Sequence, residues 1–328
     1  MNCLVVTGNG KKIGVRHNRI YVEQDDSKIA EFPLFKVTTL IIAGRNQLTT
    51  DAVSRLVKQG CKILYTTNHG KFKALLIGST EFNPYIKMAQ ILAYQDEEKR
   101  LEIARQLANA KLQNMIAFIK RESNKKEKNK FKLCSDDIVK CIENLKTARS
   151  IHAVLGIEGI ATNRYFSLFG NLLRCKIEFK GRNRRPPKDP LNTLLSLSYS
   201  LTANYITAAL IKEGLLPEIG YLHAIYSNRP ALSLDLLEPI RILLDKFSIK
   251  LLNLRIMKTE DFVIEDGACH LTQEGSKKFF ERYSAILFGE SEIISKNTCL
   301  FKIIDRQIES FKSYLRQDTK ALELYRLT

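Results

Sequence analysis

Over residues 1–82 the apolar positions come in short, often β-branched runs: Leu4-Val5-Val6, Ile13-Gly14-Val15, Arg19-Ile20-Tyr21-Val22, Thr39-Leu40-Ile41-Ile42, Lys62-Ile63-Leu64-Tyr65 and Ala74-Leu75-Leu76-Ile77. Between them sit Gly8-Asn9-Gly10, His17-Asn18, Asp25-Asp26 and Asn68-His69-Gly70, residue types that accept tight turns. The pattern predicts strands joined by turns. One helix interrupts it: Thr49 or Thr50 can cap its start, it runs through Lys58, and Gly60 ends it.

From Pro84 onward the period changes. Between Ile86 and Arg121, residues Ile91, Leu92, Leu101, Ala104, Leu107, Ala108, Leu112, Met115 and Ile119 recur at helical spacing, with charges on the other face. A last helix carries Phe301, Ile304, Ile308, Phe311 and Leu315 on one stripe. The only later strand signal is a weak Phe262-Val263-Ile264 run. The expected fold is α+β in two domains: a small, mainly β N-terminal domain (1–82) and a larger all-α C-terminal domain (83–328). No internal repeat is visible.

Composition narrows the class. A chain of 328 residues, 45% hydrophobic and 27% charged, can bury a substantial core and is not of the disordered type. The net charge of +17 points to a polyanion, either nucleic acid or an anionic membrane, with a plain solubility charge as the alternative. The uncharged stretch Leu194–Ile211 is the one segment to weigh against a membrane. It carries Ser196, Ser198, Ser200, Thr202, Asn204 and Thr207, a heavy polar load for hydrocarbon. It reads as a buried helix, and no membrane partner is expected. The cysteines Cys3, Cys61, Cys134, Cys141, Cys175, Cys269 and Cys299 form no CxxC pair and read as reduced thiols. With no signal-peptide pattern at the N-terminus, a cytoplasmic location is expected.

Two basic stretches stand out. Lys120–Lys132 (KRESNKKEKNKFK) reads either as a surface connector or as a phosphate contact. Phe179–Asp189 (FKGRNRRPPKD) gathers Lys180, Arg182, Arg184, Arg185 and Lys188 around a glycine and Pro186-Pro187. A stiff, arginine-rich loop suits bidentate phosphate contact.

The chemistry concentrates in Gly220–Asp245 (GYLHAIYSNRPALSLDLLEPIRILLD). His223 precedes a turn at Ser227-Asn228-Arg229-Pro230, and a helix is predicted from about Ala231. Asp235 and Glu238 stand three apart, on one helix face, inside an apolar run. Burying both is costly without a cation. Pro239 should kink the helix beside them. Arg241 offers a salt-bridge partner, so spacing alone leaves a metal and an ion pair equally open. Glu158 stands among small and apolar residues in Leu155–Ala161, where either a ligand or a helix-surface acid fits; the small neighbours would let another element approach closely. Glu158, His223, Asp235 and Glu238 make a carboxylate–imidazole set suited to Mg²⁺ or Mn²⁺. Gly8-Asn9-Gly10-Lys11-Lys12 lacks phosphate-loop spacing and is expected as a hairpin turn. No GxSxG or HExxH pattern occurs; His17 and His69 lie in expected turns, and His152 and His270 have no partner pattern.

At these residues the sequence resembles the CRISPR-associated integrase family (CRISPR-associated protein one). The likeness runs through Gly14–Val22, Phe32-Pro33-Leu34, Leu40–Gly44 and Leu48–Gly70. It continues at Ala104-Arg105, Lys111, Asn114, Leu155–Gly159, Tyr165-Phe166, Arg182–Pro187, Asp189–Ser196 and Tyr199. It ends at Gly220–His223, Arg229, Leu232, Asp235–Pro239, Arg241, Asp245 and Leu271–Gly275. Asn228 and Ile242 depart from the residues often found there, and the tail after Tyr314 matches only loosely.

The resemblance implies an N-terminal β domain, taken as the dimerisation unit, and a helical catalytic domain. It implies homodimers flanking a CRISPR-associated protein two dimer. Metal ligands would fall on Glu158, His223 and Glu238, with Asp235 as a nearby catalytic acid. DNA contacts would fall on Arg182, Arg184, Arg185, Lys188, Asn192, Tyr199, Arg229 and Arg241. The implied reaction joins a prespacer 3′-hydroxyl to a CRISPR-repeat phosphodiester, with endonuclease activity beside it. Two other readings stay open: a noncatalytic DNA-binding scaffold whose acids pair with Arg241 and Arg229, and a repair nuclease selective for branched DNA.

Overall fold

Hairpins form at two of the expected turns, but not at Gly8-Asn9-Gly10, where the chain passes from one sheet to another instead. β1 (Asn2–Val6) leads through Gly8-Asn9-Gly10 to β2 (Lys11–Arg16), which pairs antiparallel with β3 (Arg19–Gln24). β3 pairs antiparallel with β4 (Ser27–Pro33). His17 and Asn18 have φ of 45° and 57°, and Asp25 and Asp26 have 50° and 57°. Both loops are therefore left-handed two-residue turns, whose twist matches that of paired strands. The computed structural model describes residues 2–68, 72–76, 78, 84–122, 128–289, 291 and 299–327. The expected turn at His69-Gly70, the Ile77 end of a strand, the boundary at 82/83 and residues 123–127 of the first basic stretch lie outside them.

The chain continues as β5 (Val37–Ala43), β6 (Gln47–Leu48), α1 (Thr50–Lys58), β7 (Lys62–Thr66) and β8 (Phe72–Leu76). Thr49 caps α1 by accepting the Ala52 N–H at 3.2 Å. One sheet has the order β1-β5-β7-β8 and the other β4-β3-β2-β6. β4 and β6 were not legible as strands: β4 is an exposed edge and β6 is two residues long. β5 buries both faces. Leu40 and Ile42 join a core with Ala52 and Leu56 of α1, while Ile41 and Ala43 join the core of the helical region. Alternation along one strand thus serves two hydrophobic cores.

The helical region comprises α2 (Pro84–Gln95), α3 (Glu97–Glu122), α4 (Lys128–Thr147), α5 (Ile151–Phe166), α6 (Phe169–Leu172), α7 (Pro190–Lys212), α8 (Ala231–Leu237) and α9 (Arg241–Asn253). After α9 come β9 (Phe262–Glu265), β10 (Ala268–Leu271), α10 (Gln273–Phe288) and α11 (Leu300–Leu315). The run expected as continuous from Ile86 breaks at Asp96, whose Oδ1 accepts the Lys99 N–H at 3.0 Å and caps α3.

The expectation of an all-α second domain is corrected by the β9–β10 hairpin. Asp266 and Gly267 turn it with φ of 51° and 73°, an Asp-Gly signal for this turn type that the weak strand pattern hid. The hairpin supports the arginine loop: Cys269 N–H donates to Pro187 O at 2.8 Å, and Thr193 Oγ1 to Cys269 O at 2.9 Å.

α7 is the one described helix long and apolar enough to cross a membrane, and 72% of its most apolar window is buried inside the protein. It packs against α8, α9 and α11, so its uncharged length is that of a core helix. Cys61, Cys134, Cys141, Cys175, Cys269 and Cys299 carry free thiols.

Candidate active site

Pro239 shapes the site. With no N–H to offer, it interrupts the helix begun at Ala231. α8 stops at Leu237, a one-turn 3-10 helix spans Glu238–Ile240, and α9 starts at Arg241. The expected kink is therefore a full break, and it aims Glu238 inward at 4% exposure.

Three elements converge on that acid. α3 brings Lys111, whose Nζ lies 2.6 Å from Glu238 Oε2. The same ammonium pairs with Glu158 Oε1 on α5. Thr162, one turn on, donates to Glu158 Oε1 at 2.7 Å. α9 brings Arg241, with Nη2 2.9 Å from Glu238 Oε1. Burial alone would raise the Glu238 pKa, but Arg241, Lys111 and His223 together outweigh it and hold the carboxyl at about 2.

Asp235 does different work. It is fully buried and accepts the N–H groups of Tyr221 at 2.5 Å, Leu222 at 3.0 Å and His223 at 2.9 Å. Its Oδ1 is 2.7 Å from His223 Nδ1. Nδ1 therefore donates to Asp235, and Nε2 faces Glu238 Oε1 from 3.9 Å. Asp235 thus stands behind the imidazole and orients it. The close packing needs Gly220, where a Cβ would lie 2.7 Å from Ala231 Cβ and 2.9 Å from Asp235 Oδ2.

Behind Arg241 lies a third buried acid. Asp245 accepts from the Tyr199 hydroxyl at one oxygen and from Tyr165 Oη at the other, 3.0 Å away. Burial pushes its carboxyl up to about 6 against the pull of both phenols and the nearby cations. Two guanidiniums lie near the Tyr199 ring, Arg241 with Cζ 4.6 Å and Arg182 with Cζ 5.5 Å from its centroid.

The family profile described as CRISPR associated protein Cas1 matches residues 4–285. The chain belongs to the Cas1 family. The CRISPR-associated endonuclease Cas1 1 of Moorella thermoacetica is 31% identical over 292 residues, covering 86% of this chain and 85% of that one. Two solved structures share the fold. One is a casposase bound to integration product, with TM-score 0.84 and 24% identity over 98% of this chain and 92% of that one. The other is a chain of a Cas6-RT-Cas1–Cas2 complex, with TM-score 0.83 and 21% identity over all of this chain and 36% of that one.

In this Cas1 chain the residues singled out from sequence fall into three groups. Glu158, His223 and Glu238 come together around Lys111 and Arg241. Arg182, Arg229, Arg241, His223 and the exposed Arg184 and Arg185 line an open cleft of about 940 Å³. Lys188 is exposed on the same loop. Asn192 is turned inward: fully buried, it accepts from Arg182 Nη1 at 2.7 Å and from the Asn183 N–H at 3.1 Å, and donates to Gly181 O and Asp189. It shapes the arginine loop from within, and Tyr199, also buried, has the Arg182 and Arg241 guanidiniums near its ring.

One sequence expectation is reversed. A Cβ at Gly156 or Gly159 would meet nothing within 4 Å. The small residues around Glu158 leave that face of α5 open rather than admitting another element. Lys111 and Asp245 lie on the family resemblance, but spacing gave neither a chemical role: Lys111 stands on a charged helix and Asp245 is the only acid of a mostly apolar one.

Among the described residues, no three His, Cys, Asp or Glu side chains lie as a ready metal-binding group. The donor chemistry nevertheless fits a divalent ion. Glu158 and Glu238 already direct one oxygen each at a single cation, the Lys111 ammonium. Glu238 Oε2 has that ion pair but no well-aligned hydrogen bond. Two carboxylates and an oriented imidazole suit Mg²⁺ or Mn²⁺.

Proposed function

We propose that this protein is a metal-dependent DNA integrase and endonuclease of CRISPR adaptation. The observation that carries the reading is the convergence of Glu158 and Glu238 on one cation, with His223 Nε2 beside Glu238, next to an arginine-lined cleft. The casposase of similar fold is bound to integration product, which supports strand transfer as the reaction.

Glu158, His223 and Glu238 would hold Mg²⁺ or Mn²⁺, which supplies Lewis-acid stabilisation of charge on the phosphate oxygens. Arg184, Arg185 and Lys188 would hold the DNA backbone, as fixed cations aimed at phosphates do in phosphoryl-transfer sites. Arg241 is committed to Glu238 and keeps that acid ionised. Asp235 keeps His223 in one tautomer. In the transesterification a prespacer 3′-oxygen forms a new P–O bond as a repeat-strand P–O bond breaks. The proton shed by the attacking hydroxyl is regained by the departing oxygen.

A homodimer and a Cas2 partner belong to the same reading. The fold neighbour in a Cas1–Cas2 complex supports the partner. Exposed Ile29, Phe32 and Phe35 (52%, 38% and 76% exposed) at and beside the β4 edge support pairing through the N-terminal sheets.

The noncatalytic scaffold has one observation in its favour, the Glu238–Arg241 pair at 2.9 Å. Calorimetric titration with Mn²⁺ separates the two. The integrase reading expects one or two saturable sites, lost in Glu158→Ala, His223→Ala and Glu238→Ala. The scaffold expects no binding heat in any of the four proteins.

A further inference from the structure

The segment Leu322–Leu327 lies across α3 and α11 and is gripped through its backbone. The Leu322 N–H donates to Gln106 Oε1 at 2.8 Å, and the Glu323 N–H to Ser310 Oγ at 2.7 Å. The Tyr325 N–H donates to Gln307 Oε1 at 2.8 Å, and the Leu327 N–H to Asn114 Oδ1 at 2.9 Å. Asn114 Nδ2 returns a bond to Tyr325 O at 2.9 Å. Leu322, Leu324, Tyr325 and Leu327 pack against the helical core. This segment and α11 both lie beyond the residues matched by the family profile.

Two of these side chains reach further. Gln307 Nε2 donates to Leu236 O at 2.9 Å, and Asn114 Nδ2 donates to Pro239 O at 2.8 Å. Both amides are buried, at 2% exposure. Leu236 and Pro239 flank Leu237-Glu238, where the helix is broken. Glu238 N–H closes on Asp235 O, while Pro239 has no N–H to give. The Leu236 carbonyl, two residues before Glu238, and the Pro239 carbonyl, one after it, accept from Gln307 and Asn114. Each of those amides is in turn oriented by a hydrogen bond from the 322–327 backbone.

We propose that Leu322–Leu327 is a strap that positions Glu238, acting through the positioning residues Asn114 and Gln307. The proposal rests on the reading of Glu238 as a metal ligand. Without the strap, Asn114 Oδ1 and Gln307 Oε1 lose their backbone donors, both amides are free to turn, and the 3-10 turn carrying Glu238 loosens. Outer partners of metal ligands are worth roughly 10–100-fold in metal affinity.

The test compares the full chain with a chain ending at Lys320, by amide hydrogen exchange without metal and by Mn²⁺ titration. Expected in the shortened chain are about tenfold faster exchange at Ile240 and Arg241 and unchanged exchange over Phe247–Leu252. Its Mn²⁺ dissociation constant should rise roughly tenfold, with strand transfer recovered at saturating Mn²⁺. Leu327→Pro, which removes the N–H given to Asn114 along with one packed side chain, should move both readouts in the same direction and keeps the test decisive if the shortened chain aggregates. Unchanged exchange at Ile240 and Arg241, or an unchanged Mn²⁺ constant where the full chain binds Mn²⁺, would overturn the strap. A full chain that binds no Mn²⁺ would instead overturn the metal reading, and the exchange comparison would still decide whether the strap holds the turn.

Discussion

Lys111 Nζ lies 2.6 Å from Glu238 Oε2 while also pairing with Glu158, so one buried ammonium bridges two acids from separate elements. Removing it leaves both carboxylates facing each other. Lys111→Met should destabilise the metal-free protein by about 3–5 kcal/mol, the range for breaking a buried ion pair. Mn²⁺ should restore much of that loss, because an ion bound only to the folded state stabilises it. Differential scanning calorimetry with and without Mn²⁺ checks this. A variant whose melting temperature ignores Mn²⁺ would contradict the shared-cation account.

Gly220 is predicted to matter for the imidazole rather than for the loop alone. In Gly220→Ala the new methyl would push on Asp235 Oδ2 from 2.9 Å and on Ala231 from 2.7 Å. Asp235 then loosens its hold on His223. The expected result is roughly tenfold weaker Mn²⁺ binding in a protein that still folds. Equal Mn²⁺ affinity in the variant and the parent would show that Asp235 does not orient His223.

Much of this arrangement was legible in the sequence, and the illegible parts share a cause. β5, β7, α1 and α11 announce themselves through apolar period and capping residues. Glu158, His223 and Glu238 emerge from the spacing only as acids in an apolar setting, with an ion pair as the alternative; their assignment as ligands came with the family resemblance. Lys111 looks like any lysine of a charged helix, and its role comes from helices that meet it far along the chain. The strap Leu322–Leu327 has no period at all, since its backbone makes the contacts. β4 escaped notice because an exposed edge strand lacks the buried face that writes alternation into sequence.

Asp245 gives the protein a pH signature. Burial holds its carboxyl at about 6 in the folded chain, against 3.8 as its ordinary value. Between those two values the folded protein binds the proton that the unfolded chain has released. Stability therefore falls as pH rises from about 4 to about 6, by up to ~3 kcal/mol at 1.36 kcal/mol per unit. Glu238 runs the other way: its carboxyl, held at about 2 against 4.5, contributes stability above about pH 4.5 that is lost toward pH 2. Urea unfolding of Asp245→Asn across pH 4–6 should show the falling component removed. The same slope in variant and parent would assign it elsewhere.

The exposed arginines make a quantitative prediction about salt. Each phosphate contact contributes about 0.9 to the slope of log binding constant against log salt for duplex DNA. The double variant Arg184→Ala/Arg185→Ala should lower the slope by about 2 without abolishing binding. Fluorescence anisotropy over a salt series reads it, and an unchanged slope would remove the loop from the DNA path.

The N-terminal edge should carry the homodimer. Ile29→Lys with Phe35→Asp puts charge on the exposed apolar residues at and after β4. Light scattering on the eluting peak should give the mass of one chain, against two for the parent. A dimeric variant would move the interface to another surface.

The central claim is that Glu158, His223 and Glu238 make DNA strand transfer depend on a divalent ion. It is tested most directly by incubating a duplex with free 3′-hydroxyl ends and a repeat-containing plasmid with the protein and Cas2, in Mn²⁺ or in excess chelator. Joined product in Mn²⁺, none in chelator, and a loss of at least 100-fold in Glu238→Ala despite retained DNA binding is the predicted result. Equal product from Glu238→Ala, or from the parent in chelator, would contradict it.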